Sequence, residues 1–379
     1  MNQTSLRVIR ILSTVSFAVL ALATPAWAQS SSSWTEHIRV SGDLRQRYEG
    51  FFEKDRTSRQ RLRFRLRLTV NAEVNDDVTV GIRLGSGDLG NPISTNQSLT
   101  DVLTRTPIAI DRAFVAYNPS DLPALTIGAG KFGIPVTRTE LTFDNDLNWQ
   151  GLYQQVRGSS EGISYRLVAA QVPLEESSGD ADGALFATFG EVGFAAGGHS
   201  LQLSVGNYAY RSVDRVAVAL DSQDISRNTN PYAFDADGNV VGFVSGFNLV
   251  DVIGRATLDT GRPNYPVQLT VDFVKNIDAA TGEDSGLWMT AAYGQASEPK
   301  SYRLAYTYAR VEQDAVLSAL NFSDMPGTNL KMHRVVLSYM VAPRVHLDFT
   351  AIFTRKLQLS PGERDTLLRR PQIDMRFSF

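Results

Sequence analysis

The sequence predicts an all-β fold, a transmembrane antiparallel up-and-down β-barrel of about 16 strands with short periplasmic turns and long extracellular loops. Three observations predict it. Segments of about ten residues that alternate apolar and polar recur to the C-terminus, and the connections between them alternate in length. The segment from Arg59 to Val74 sets Arg59, Arg61, Arg63, Arg65 and Arg67 against Leu62, Phe64, Leu66 and Leu68. A period of two gives one face of guanidinium groups and one of hydrocarbon. If the hydrocarbon meets lipid the arginines must meet water, because an Arg on the lipid face near the midplane costs roughly 2–4 kcal/mol.

The first element is a leader. Arg7 and Arg10 supply a positive start, Ile11 to Leu22 an apolar core, and Ala26, Trp27 and Ala28 a small-x-small cleavage pattern. The apolar core is shorter than the roughly 20 residues of a spanning helix. Residues 1–28 are therefore expected to be a cleaved signal peptide and 29–379 the barrel domain, with Gln29 to Ser33 a Ser-rich stub. No Cys precedes the cleavage point, which argues against a lipoprotein anchor.

Sixteen alternating segments follow, near residues 36–51, 57–74, 77–87, 108–118, 123–132, 149–158, 162–173, 185–196, 199–212, 248–259, 266–276, 285–295, 300–313, 330–341, 343–357 and 368–379. Every second connection is a tight turn rich in Asn, Asp, Gly, Pro or Ser, as at Asn75 to Asp76, Gly197 to Gly198 and Thr260 to Pro263. The others are longer, near 88–107, 133–148, 174–184, 213–247, 277–284, 314–329 and 358–367; only the first, 52–56, is short. Short turns on one side and long loops on the other is the outer-membrane barrel pattern. An even strand count puts both termini on the short-turn side. The last segment alternates Ile373, Met375, Phe377 and Phe379 with Gln372, Asp374, Arg376 and Ser378, and its aromatic end resembles the C-terminal signal that barrel-assembly machinery reads. Nothing in the chain is long enough for a plug domain, and sixteen strands enclose an aqueous channel.

Composition narrows the function. Mean hydropathy is −0.15, as for a soluble protein, but strands with one face on an aqueous lumen read the same way. Net charge is −3, or −5 once the two leader arginines are removed, which argues against a nucleic-acid partner. There is no Cys, and His37, His199, His333 and His346 form no close ligand pair, so no metal or cofactor is expected. Asp235, Asp237, Gly238 and Asn239 lack the EF-hand spacing and read as a turn in a long loop.

The charged faces combine. On the first strand Arg39, Asp43, Arg45 and Arg47 alternate with Val40, Leu44 and Tyr48, Arg83 extends the row on the third, and Arg370, Gln372, Asp374 and Arg376 share a face on the last. Barrel closure sets the first strand beside the second and the last, so one lumen wall is expected to be basic. From Arg59 to Arg67 is roughly 26 Å, most of the apolar band. Such a wall raises local anion concentration. Opposing acids are expected from the loop after the fifth strand, which carries Arg138, Glu140, Asp144 and Asp146.

Seven stretches make a family resemblance specific: GDLRQRYEG (42–50), RQRLRFRLRL (59–68), GIRLGSGD (81–88), NPISTNQSL (91–99), IAIDRAFVAY (108–117), GAGKFGIP (128–135) and FDNDLNWQG (143–151). Over roughly residues 40–155 the chain resembles a family of bacterial putative porins. The resemblance implies an outer-membrane channel with no catalytic residue. By analogy with sixteen-stranded porins, the loop after the fifth strand is expected to fold inward as a constriction, and a homotrimer in outer-membrane lipid is the usual assembly.

The leading reading is a porin passing small hydrophilic solutes, with anion preference from the arginine wall. A second is a substrate-specific channel in which arginines hand phosphate or carboxylate groups along by bidentate contacts. An outer-membrane enzyme would need a nucleophile beside a base, and no such motif accompanies the histidines. An adhesin would want a filled lumen and fewer strands.

Overall fold

The computed structural model describes residues 34–379 except 101, 177, 180 and 223–227; the leader and the Ser-rich stub lie outside the described residues. The sixteen long strands are β1 Ile38–Phe51, β2 Arg59–Glu73, β3 Val78–Ser86, β4 Ile108–Tyr117, β5 Leu125–Gly133, β6 Asn148–Ser160, β7 Ile163–Glu175 and β8 Gly183–Ala196, then β9 His199–Arg211, β10 Asn248–Leu258, β11 Val267–Asn276, β12 Ser285–Gly294, β13 Tyr302–Val311, β14 Leu330–Ala342, β15 Val345–Lys356 and β16 Leu368–Ser378. Each end lies within two residues of its sequence expectation. Every strand pairs antiparallel with its neighbours in the chain, and β1 pairs with both β2 and β16, closing the barrel.

Local chemistry fixes the tight turns. Between β2 and β3 the Asn75 side chain accepts the amides of Asp77 and Val78 at 3.0 and 2.9 Å. Between β8 and β9, Gly197 and Gly198 both take positive φ, 57° and 81°, the pair of left-handed residues that a two-residue hairpin with strand-matched twist requires.

The pleat divides the strands into two faces. Leu203, Val252, Leu269, Leu304, Leu337 and Phe349, on six different strands, point outward and are exposed, whereas Ser204, Asp251, Asp272, Thr307, Ser338 and Asp348 on the same strands are buried inside. An apolar outside with a polar inside is the arrangement a bilayer demands of a closed barrel.

One edge needs an extra piece. β2 is 15 residues long and β3 only 9, so the long-loop end of β2 would be left unpaired. A two-residue strand, Gln97–Ser98, fills the gap opposite Phe64 and Arg63, and Leu99 donates its amide to Leu62 at 2.9 Å.

The long loops carry structure of their own. The segment read as a plain loop between β9 and β10 holds a helix, α1 Val213–Ser222, whose Ala217 and Leu220 are buried. It also holds a hairpin, Tyr232–Phe234 with Val240–Phe243. The Asp235 carboxylate closes that hairpin's turn by accepting the amides of Asp237 and Asn239, both at 2.9 Å, as the turn reading expects.

Closure also depends on a missing side chain. Gly42 and Phe379 exchange backbone hydrogen bonds of 2.9 and 3.0 Å, and the Phe379 ring lies where a Gly42 side chain would be. A Cβ there would meet the ring and the Arg67 carbonyl at 2.6 Å. Gly42→Val is expected to lower sharply the fraction of chain that refolds to a heat-modifiable barrel on gel electrophoresis. A refolding yield equal to that of the unmodified chain would contradict this reading of the seam.

Candidate functional site

The basic wall forms where β1, β2, β3 and β16 meet. Register sets Arg45 opposite Arg376, Arg47 opposite Asp374 and Glu49 opposite Gln372. All of these occupy the inner face, as the alternation requires, and the row from Arg61 to Arg67 faces the same interior. At the ends of the wall the geometry differs. Arg39 sits exposed at the short-turn mouth, paired with Glu73 at 3.1 Å, and exposed Arg59 stands over the Phe51 ring at 6.0 Å.

The row is not bare. Arg47 holds Asp374 through two bonds of 2.6 and 2.8 Å and reaches Asp324 at 2.9 Å. Arg370 joins Glu49 and Asp324, each at 2.7 Å. Arg61 also pairs with Glu49, and Arg63 approaches it at 3.4 Å. Arg65 and Arg67 share Asp43, both at 2.6 Å, and Arg67 reaches Asp146 at 3.0 Å. Arg83 pairs with Asp111, and Arg376 with Asp348. Arg45 and Arg112 meet only carboxamides among the described residues, Asn96 and Asn148. These ten arginines face seven carboxylates, a surplus of three positive charges. Carboxylates thus interleave with the guanidinium groups of the expected basic wall.

The loop after β5 folds into the barrel, but its charges disperse. Only Asp146 reaches the basic wall, where it also accepts the Thr95 amide and hydroxyl at 3.2 and 2.9 Å. Glu140 crosses to Arg334 on β14 at 2.7 Å, and Arg138 donates to the Asp144 carbonyl at 3.2 Å. The Asp144 carboxylate accepts the amides of Asp146 and Ser323 at 2.7 and 2.6 Å. The expectation that all these acids oppose the wall is therefore corrected: a loop spanning the lumen must satisfy partners on both sides. Thr139 and Thr142 complete the span by donating to Asp272 and Asp251 on β11 and β10.

A second inner loop, 312–329, was not foreseen as part of the site. Its Asp324 sits between Arg47 and Arg370, and its backbone is tied to the first loop by Asp144 to Leu320 and Phe322 to Glu140, 2.9 and 3.0 Å. Arg334 grips both loops, pairing with Glu140 and lying 4.7 Å over the Phe322 ring. Behind this junction lies an apolar cluster: Leu141, Phe143, Trp149, Tyr208, Leu317 and Met325 pack with Trp288 against the β5–β14 side. Polar space borders both walls: away from the arginine row, Arg166, Glu191 and Gln202 line a cavity of about 710 Å³. A cavity of about 380 Å³ bordered by Asp43, Arg65, Arg67, Arg83 and Arg376 opens on the short-turn side. Another of about 540 Å³, bordered by Glu53, Arg56, Thr354 and Leu368, lies on the long-loop side.

Sequence reasoning missed Glu49 and Asp324. Glu49 was readable as the next inward position after Asp43, Arg45 and Arg47. Asp324 was not, because a loop carries no period that aims a side chain.

The loop acids differ in proton affinity. Burial raises the Asp324 carboxyl, but Arg370 and Arg47 outweigh it and hold the group well below the usual range. Asp146 is likewise lowered by Arg65 and Arg67 against its burial. Asp144 is pushed up to about 7 by burial, then by Glu140 and Asp146, against the two amides it accepts. The signs are opposite. The stabilisation from Asp324 is present above the ordinary carboxylate range and lost as pH falls through its low folded value. That from protonated Asp144 is full below the ordinary range and lost as pH rises through about 7.

A family model described as Putative porin matches residues 52–216, bearing out the resemblance over that stretch. A sequence search of curated proteins found no match. Among solved structures, the high-pH structure of Pseudomonas putida OprB superposes with a TM-score of 0.60 at 14% identity, covering 91% of this chain and 95% of that one. Salmonella typhi OmpF in complex with daunomycin gives 0.53 at 11% identity, with 92% and 100% covered. A loop L8 deletion mutant of OmpT, an outer membrane protein of Vibrio cholerae, gives 0.53 at 10%, with 90% and 99% covered. The closed sixteen-strand antiparallel barrel is the fold these proteins share with this chain.

Two outcomes follow from the paired interior. Asp324→Asn leaves two buried guanidinium groups short of a carboxylate, and breaking such a pair costs roughly 3–5 kcal/mol; the urea midpoint of the refolded barrel is expected to drop accordingly, and an unchanged midpoint would contradict the clamp. Amide exchange at residues 318–325, corrected for its intrinsic rate, is expected to accelerate between about pH 5 and about pH 8 as Asp144 ionises. Asp144→Asn should remove that acceleration.

Proposed function

We propose that the chain forms a water-filled outer-membrane channel for passive diffusion of small hydrophilic solutes, with a preference for anions. The fold and the family likeness over residues 52–216 support a channel rather than an enzyme. The observation that carries the anion preference is the surplus of three arginines along the wall that borders the 380 Å³ cavity. Fixed positive charge beside low-dielectric walls concentrates anions and lowers their barrier. The surplus is modest, so the preference is modest as well, and it weakens with salt.

The inner loop carrying Asp146 serves as the constriction in this reading. Its carboxylate stands against Arg65 and Arg67, creating a field across the passage. A leader at residues 1–28 would deliver the chain to the export pathway, and the final strand ending in Phe377 and Phe379 would direct its assembly into outer-membrane lipid. A second reading, a channel specific for carboxylate or phosphate solutes, is favoured by the two-bond grip of Arg65 on Asp43 at the edge of the 380 Å³ cavity. An arginine that already binds a carboxylate this way can exchange it for one in transit.

Reversal potentials in a planar bilayer under a salt gradient test the proposal. The unmodified channel is expected to favour anions, Arg63→Gln with Arg65→Gln to favour them less, and Asp146→Asn to favour them more. A preference for cations in the unmodified channel would overturn the arginine-wall reading, and currents that saturate with phosphate or acetate would favour the specific channel.

A further inference from the structure

The outer surface carries a charge pattern that the channel does not use. On the long-loop side, register places Arg310 on β13 directly opposite Lys331 on β14, and Lys331 directly opposite Arg355 on β15. All three are exposed and belong to the outward face. One row nearer the middle of the barrel, Tyr308, His333 and Phe353 are register partners, and Phe353 faces Arg369 on β16. His333 is held there by the Tyr306 hydroxyl at 2.7 Å and by the Tyr308 ring, 5.3 Å away between centroids.

Like charges set directly opposite across strands destabilise a sheet. Arg310 and Arg355 are each partly offset by an acid, Glu312 and Asp365. Lys331 and Arg369 have no carboxylate partner among the described residues. By contrast, Lys275, at the outward long-loop end of β11, is fully matched by both oxygens of Asp284 at 3.0 and 2.9 Å. Lys331 lies immediately above an aromatic row and Arg369 at the end of that row, the height at which a bilayer passes from acyl chains to headgroups.

We propose that Arg310, Lys331, Arg355 and Arg369 seat a phosphate of an outer-leaflet glycolipid headgroup. The proposal rests on the outer-membrane reading for the identity of the leaflet, but not on conduction. Strands spaced about 4.8 Å apart put neighbouring cations within reach of one phosphate's oxygens. The anion relieves the repulsion along the row, and the lipid's chains continue down the outward apolar face past Val335 and Phe349. A lipid is favoured over free phosphate because the side chains project from the lipid-facing surface rather than into the lumen.

The refolded full chain in mixed micelles tests this, with bisphosphorylated lipid A, its dephosphorylated form and inorganic phosphate as probes and native mass spectrometry as readout. The unmodified barrel is expected to retain the bisphosphorylated lipid and not the dephosphorylated one. Each cation near a lipid surface contributes roughly a fivefold change in affinity, so Lys331→Gln with Arg369→Gln should weaken retention on the order of thirtyfold. Lys275→Gln should leave it unchanged. Equal retention of the bisphosphorylated lipid by the double variant, or saturable binding of inorganic phosphate alone at the same strength, would overturn the proposal. Heat-modifiability and bilayer conductance, expected to be unaltered by these outward substitutions, confirm folding; should the double variant fail to fold, Lys331→Gln alone supplies the comparison with an expected loss of about fivefold. A barrel that retains the lipid but does not conduct would count against the channel and not against the seat.

Discussion

Guanidinium groups inside a barrel wall can persist only if water or carboxylate stands beside each of them, and this constraint organises the interior. The arginines of β1, β2, β3 and β16 cannot turn outward, because the lipid face would cost several kcal/mol for the set. They cannot be packed against hydrocarbon, because an unpaired buried charge is costlier still. The chain meets the requirement by bringing carboxylates to them from two sources. Asp43, Glu49 and Asp374 come from the wall strands themselves and Asp111 and Asp348 from the adjoining β4 and β15, whereas Asp146 and Asp324 come from loops that enter the barrel.

Loop entry explains the asymmetry of the interior. Once Asp146 and Asp324 are committed to the arginine side, the rest of their loops must cover the opposite wall, and the apolar residues there are Leu141, Phe143, Leu317 and Met325. Arg334 and the Asp251 and Asp272 carboxylates anchor that far side through Glu140, Thr142 and Thr139. The result is an apolar cluster that packs the loops against one wall and a dense row of charge along the other. Junction residue Asp144, which joins the two loops, is the weak link in rising pH, whereas Asp324 is the weak link in strong acid.

The strands were legible in the sequence because a two-faced strand writes its period into the residue order, and turns such as Asn75 to Asp76 and Gly197 to Gly198 punctuate it. The inward aim of Arg45, Arg47, Arg61, Arg63, Arg65, Arg67, Arg83, Arg370 and Arg376 follows from the same period. Their partners were less legible. Asp43 and Asp374 were readable as inward neighbours, and Glu49 could have been. Asp324 and the far-side role of Glu140 depend on how loops of fifteen or so residues close through space, which the order of residues does not encode locally. For the same reason α1 was read as loop, since one helical turn pair with only Ala217 and Leu220 buried gives a weak period.

Everything in this arrangement requires that the arginines from Arg61 to Arg67 face the interior of the barrel while their alternate neighbours face lipid. Because the chain has no native cysteine, a single introduced thiol reports its surroundings without background. The most direct measurement is the reactivity of Arg67→Cys and Leu66→Cys channels in a lipid bilayer toward a charged, membrane-impermeant thiosulfonate. Rapid labelling of the Arg67→Cys channel with a change in its current, and no labelling of the Leu66→Cys channel, is the expected result. The reverse pattern, or labelling of neither, would contradict it.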